Sequence, residues 1–100
     1  METPLRFRRL ERVELLGFVV PVATTSVSRL LGLALLERER AGDGLLIPDC
    51  RSVHTLGMRF SLDLLFLDRR GRVIQIRRNV RAGRFCRCRS AATVLELPSP

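Results

Sequence analysis

The spacing of apolar residues changes several times along the chain, and each change predicts an element. The clearest signal is Phe60 to Asp68, FSLDLLFLD. In an extended chain Leu62, Leu64 and Phe66 point one way and Asp63, Leu65 and Leu67 the other. This is predicted to be a strand, with Arg72 to Arg78 as its partner across an Asp68-Arg69-Arg70-Gly71 turn. Val13 to Val22 is rich in Val and Leu and predicts one or two short strands. Val27, Leu30, Leu31, Ala34 and Leu35 then recur at helical spacing behind a Thr24-Thr25-Ser26 N-cap signal. The helix is expected to run from about Ser26 to Arg40 and to stop at Gly42 and Gly44. Gly32, in its middle, costs about 1 kcal/mol against Ala, with close helix–sheet packing as the expected compensation.

Leu45 to Ile47 reads as a short buried strand ended by Pro48 and Asp49. Cys50 to Arg59 has no period and reads as a structured loop, and Arg81 to Arg89 as a basic connection. Ala92 to Leu97 is the last predicted strand, with Glu96 on its solvent side. Residues 1–12 read as a loose basic leader and residues 13–100 as a single domain. The fold class expected is α+β: a mainly antiparallel sheet packed by one main helix.

Composition adds a charge problem. The 100 residues carry a formal net charge of +8, and all 18 basic residues are Arg. Such a surface suits a polyanion, and Arg77, Arg78, Arg81, Arg84, Arg87 and Arg89 are dense enough to form a patch. Only Phe85 interleaves with them, whereas single-strand binders need several stacking aromatics, so weak polyanion binding is expected and specific nucleic-acid binding is not. Cys50, Cys86 and Cys88 are odd in number, which excludes a complete disulfide framework and favours a reduced, cytoplasmic chain. Arg6 to Arg12 followed by Leu15 to Val20 imitates a signal peptide, but Glu11, Glu14 and Pro21 argue for a strand instead. No apolar run is long enough to span a bilayer.

The candidate chemistry lies in CRSVHTLGMRFSLDLLFLD. Asp63 shares a strand face with Leu65 and Leu67, so it must lie at a sheet edge or be buried with partners. Two readings stand. His54, Thr55, Met58, Arg59 and Asp63 form a polar pocket for an unknown small molecule, or Asp63 is a latch on the backbone of the Ser52–Met58 loop. An enzyme with His54 as acid or base, oriented by Asp63, is the alternative. No catalytic residue is assigned. Cys50-x3-His54 with Cys86-x-Cys88 matches no usual zinc spacing, so no metal is assigned, and no phosphate-loop or dinucleotide motif points to a cofactor.

Taken in order, these segments resemble the domain of unknown function 192. Ala23 and Thr25 fit an A-x-T strand end, and Arg29, Gly32 and Leu33 an R-x-x-G-L helix. His54, Thr55 and Met58 fit an H-T-x-x-M loop, followed by Leu62, Asp63, Phe66 and Asp68 on the central strand. Gly71 and Val73 fit its hairpin, and Leu95, Glu96 and Pro98 a closing L-E-φ-P strand. The resemblance implies a compact, largely antiparallel and partly barrel-like α+β fold and no established activity. Some relatives carry export signals, which leaves export open. Relatives usually continue beyond the L-E-φ-P strand with a glycine and a further segment, so a C-terminal truncation and self-association through an exposed sheet edge are expected. They also often carry a proline before the last strand, where this chain has Arg81-Ala82-Gly83-Arg84.

Overall fold

The alternating apolar segments pair as hairpins. A computed structural model describes residues 3–100. β1 (Arg12–Leu15) and β2 (Phe18–Pro21) form an antiparallel hairpin across Leu16-Gly17, both with positive φ. That turn matches the right-handed twist of the flanking strands. β3 (Leu45–Pro48), β5 (Leu62–Leu67), β6 (Val73–Val80) and β8 (Thr93–Pro98) make a four-stranded antiparallel sheet in the order β3-β8-β5-β6. β4 (Ser52–His54) and β7 (Phe85–Arg87) form a separate two-stranded ribbon. The chain is therefore mainly β, and its sheets do not close into the expected partial barrel.

The expected main helix is much shorter than the apolar period suggested. α1 covers only Ser26–Leu31, opened by a capping box between Thr25 and Ser28. Gly32 ends it at φ 53°, a backbone conformation in which a side chain is strained. A single 3-10 turn, Arg38–Arg40, follows. Of the expected stripe only Ala34 is fully buried. Val27, Leu30 and Leu35 are exposed, while Ser28, Leu33, Ala34 and Leu36 are buried. Once the helix stops at Gly32, helical spacing no longer governs which later residues point inward.

Each face of the four-stranded sheet has its own apolar cluster. One contains Leu45, Ile47, Leu62, Leu64, Phe66 and Val94. The other joins Val20, Leu67, Leu95 and Leu97, with Val13, Leu15 and Phe18 of the first hairpin packed against them. The opposed directions read for Leu62, Leu64 and Phe66 against Leu65 and Leu67 are those observed. Within the expected leader Pro4 and Phe7 are buried, and the Arg6 guanidinium donates to the Ala34 carbonyl. Residues 1–2 of that leader lie outside the described residues.

β8 does not leave the exposed edge expected of it. It lies between β3 and β5, and Leu95 and Leu97 are buried. β3 and β6 are the edge strands of this sheet, and Val22 and the Ala23 N–H bridge the outer side of β3, so residues 92–97 are not the exposed edge expected to pair with another chain. Among the described residues no helix is long and apolar enough to cross a membrane.

Candidate functional site

The five residues expected to share one pocket are distributed over different environments. Asp63 is buried, as its apolar neighbours required. Its carboxylate accepts from the Asn79 N–H at 2.9 Å, from the Ser99 hydroxyl at 2.7 Å and, more weakly, from Arg78 at 3.4 Å. None of these belongs to the Ser52–Met58 loop, so the latch ties β5 to a bulge in β6 and to the segment after β8. The β5–β6 register slips between Leu62 and Leu64, and Asn79 takes φ 53° there, turning its N–H toward Asp63.

Thr55 latches a different turn. Its hydroxyl donates to the Arg81 carbonyl at 2.7 Å and accepts from the Arg84 N–H at 2.7 Å. Its own backbone completes the clasp with Arg84 and Gly83. This clasp brings β4 and β7 together, the two strands that sequence reading left as loop and connection. Arg59 pairs with Glu37 at the surface, and Met58 is a buried core residue. His54 is exposed and makes no hydrogen bond to Asp63, so the acid–base alternative lacks the orienter it required.

The arginine patch is also divided. Arg77 pairs in register with Leu64, on one face of the sheet, whereas Arg78 reaches Asp63 on the other. Arg81 and Arg84 sit in the turn held by Thr55. Arg77 and Arg78 therefore lie on opposite faces of the sheet.

The polar group that sequence reading missed is Glu96. Alternation within an edge strand puts it on the solvent side, yet only 4% of its surface is exposed. Alternation held the signal. Leu95 and Leu97 occupy one face of β8, so Glu96 shares the other with Val94, and a strand apolar on both faces is a central strand. Glu96 lines a small cleft of about 60 Å³ with Arg29, Gly32, Cys50 and His54. Its Oε1 has no hydrogen-bond partner. Burial pushes its carboxyl up to about 7, against the opposing pull of the Leu33 N–H.

Gly32 makes room for this acid. A Cβ there would stand 2.9 Å from Oε1. The close packing expected of Gly32 is therefore contact with a carboxylate, made at the end of the helix and not in its middle. Gly32→Ala should lower stability by about 1–2 kcal/mol, from the positive φ and the displaced carboxylate. Thermal unfolding of the variant measures this, and an unchanged melting temperature would mean that Glu96 moves aside freely.

The remaining walls are held by their own bonds. The Arg29 guanidinium donates to the Pro48 and Asp49 carbonyls, fixing the end of β3 against α1. The Cys50 thiol donates to the Ser52 carbonyl at 3.1 Å, and burial pushes its pKa up, so it remains a thiol. All three cysteines are free. The cleft therefore has the acid at its base, the His54 ring at an exposed position and a guanidinium on one wall.

A small, mainly antiparallel β domain with one short helix, carrying a buried acid in a narrow cleft, is the class that fold and site define. The chain belongs to the domain of unknown function 192 family (DUF192, an uncharacterized ACR), whose sequence model matches residues 10–99. Two crystal structures share its fold. A protein from Sinorhizobium meliloti, described as a candidate transcription regulator, superimposes with a TM-score of 0.71 at 23% identity, over 88% of this chain and 78% of that one. A protein of unknown function from Novosphingobium aromaticivorans gives 0.64 at 17% identity, over 99% and 89%. No curated protein is significantly similar to the chain.

Proposed function

We propose that this domain is a small-ligand binding module without catalysis, and that its site is the Glu96 cleft between the end of α1 and β4. One observation carries the reading: Glu96 Oε1 is buried and, among the described residues, unpartnered, and Glu96 lines the cleft beside Gly32. A buried acceptor without a donor costs about 1–3 kcal/mol, and a ligand that brings the donor recovers it. The cleft has the volume of about two liquid waters, so it takes the tip of a ligand and not a whole one. The fitting group is a compact hydrogen-bond donor such as an ammonium or a primary amide. The rest of the ligand lies over the mouth, beside His54. Of the five residues first expected to form a pocket, His54 lines this one. Thr55 supports it by clasping the strand that carries His54.

Methylammonium is the simplest probe. At pH 8, above the titration of Glu96, it should shift the Leu33 and Gly32 amide signals in a saturable NMR titration, and Glu96→Gln should abolish the effect. Equal shifts in both proteins, or no saturation in the wild type, would remove the reading.

A further inference from the structure

We infer a second binding site, for a phosphate-bearing small ligand, in the concavity formed by Arg51, Arg69 and Arg89. This inference goes beyond the Glu96 reading and stands without it. The three guanidinium-bearing residues come from distant parts of the chain: the approach to β4, the β5–β6 turn and the exit from β7. They line one open concavity of about 510 Å³, within the usual size range of small-molecule sites. Ser90 and Thr93 add hydroxyls to its wall. The fold brings together here three like charges from separate segments.

The frame beneath these side chains is fixed by backbone bonds. The Arg51 carbonyl accepts from the Cys88 N–H at 2.8 Å, and the Ala91 N–H closes the turn carrying Arg89 and Ser90 onto the Cys88 carbonyl at 3.1 Å. The Arg69 turn is closed by the Gly71 N–H on the Asp68 carbonyl at 3.0 Å. Asp68 reinforces that turn by accepting from the Arg70 and Arg72 N–H groups and from Arg72 Nε, which hold its carboxyl below the ordinary range. Asp68 is thereby engaged with Arg72 and does not neutralise Arg69.

Charge balance favours an external anion. Among the described residues, Arg51, Arg69 and Arg89 form no ion pair. Asp49 also lines the concavity, yet pairs with none of them. The backbone carbonyl of Asp49 is held by Arg29 on the opposite side. Unpaired like charges around one concavity repel, and a multivalent anion turns that repulsion into binding. Planar guanidinium groups match phosphate oxygens bidentately, and three of them with two hydroxyls provide more donors than one carboxylate uses. A polymer would need a strip of charge along the surface, whereas these three residues share one concavity.

The test is calorimetric titration of the whole chain with inorganic pyrophosphate at 0.15 M salt. Arg51→Gln, Arg69→Gln and Arg89→Gln should each weaken binding about tenfold, as expected for one charge-assisted contact. Arg9→Gln and Arg12→Gln remove the same net charge elsewhere and should change affinity by no more than about twofold. All five positions are exposed, so the variants should fold, and their far-UV spectra check this. Two results would overturn the site: no saturable binding, or equal losses in the control variants. A third is a single-stranded oligonucleotide that binds more tightly than pyrophosphate and is weakened as much by Arg12→Gln as by Arg89→Gln.

Discussion

Raising the pH from 4.5 to above 7 should cost this protein about 3 kcal/mol at Glu96 alone. The sign follows from the two states. Unfolded, Glu96 titrates near its ordinary value of 4.5, and folded, near 7. Between these values the folded chain holds a proton that the unfolded chain has released, so stability falls as pH rises. Below 4.5 both states are protonated and the contribution is fully present. Above about 7 both are ionised and the loss is complete, because the native state then buries a charge with an unpartnered oxygen. Glu96→Gln keeps the shape and removes the charge. The variant should gain on the wild type progressively between pH 4.5 and 7, and be more stable by up to that amount at pH 8. Subtracting the two denaturation curves isolates Glu96 from groups such as Asp68. A difference independent of pH would show that Glu96 is solvated or partnered in solution.

The second large effect is expected at Asp63. Asp63→Ala should destabilise by about 1–3 kcal/mol, since it removes the acceptor of the Asn79 N–H at the bulge and strands the buried Ser99 hydroxyl. Asp63→Asn retains an acceptor for Asn79 and should lose less than half as much. Urea denaturation of the three proteins at pH 7 ranks them. If the two variants were equally stable, the carboxylate shape would not matter and the latch would have to be abandoned. Because the latch spans β5, β6 and the segment after β8, the Ala variant should also open first at β6, visible as faster amide exchange there.

What the sequence revealed, and what it hid, follows from the range of the interactions involved. β5 and β6 were legible because alternation and the Asp68–Gly71 turn are local signals that agree. β4 and β7 were not, since each has three residues and forms only where a distant clasp through Thr55 holds the pair. The helix was overextended because Leu30 and Leu35 kept a helical period past the point where Gly32 breaks the backbone. Burial of Asp63 could be inferred from its strand neighbours, whereas its partners depended on a bulge with no sequence signature. Glu96 was misplaced because its own strand was taken for an edge. Knowing that β8 is central turns the same alternation into an argument for burial.

The central place of β8 also bears on the order in which the protein can be assembled during synthesis. β3 and β5 touch no common strand other than β8. While residues 93–98 remain in the ribosome, the β1–β2 and β5–β6 hairpins can form, but nothing joins β3 to β5. Val94 and Leu95, which enter the two separate apolar clusters, arrive together with the strand that bridges the halves. Until β8 has emerged, the sheet lacks the strand that joins its halves, and cooperative collapse waits for it.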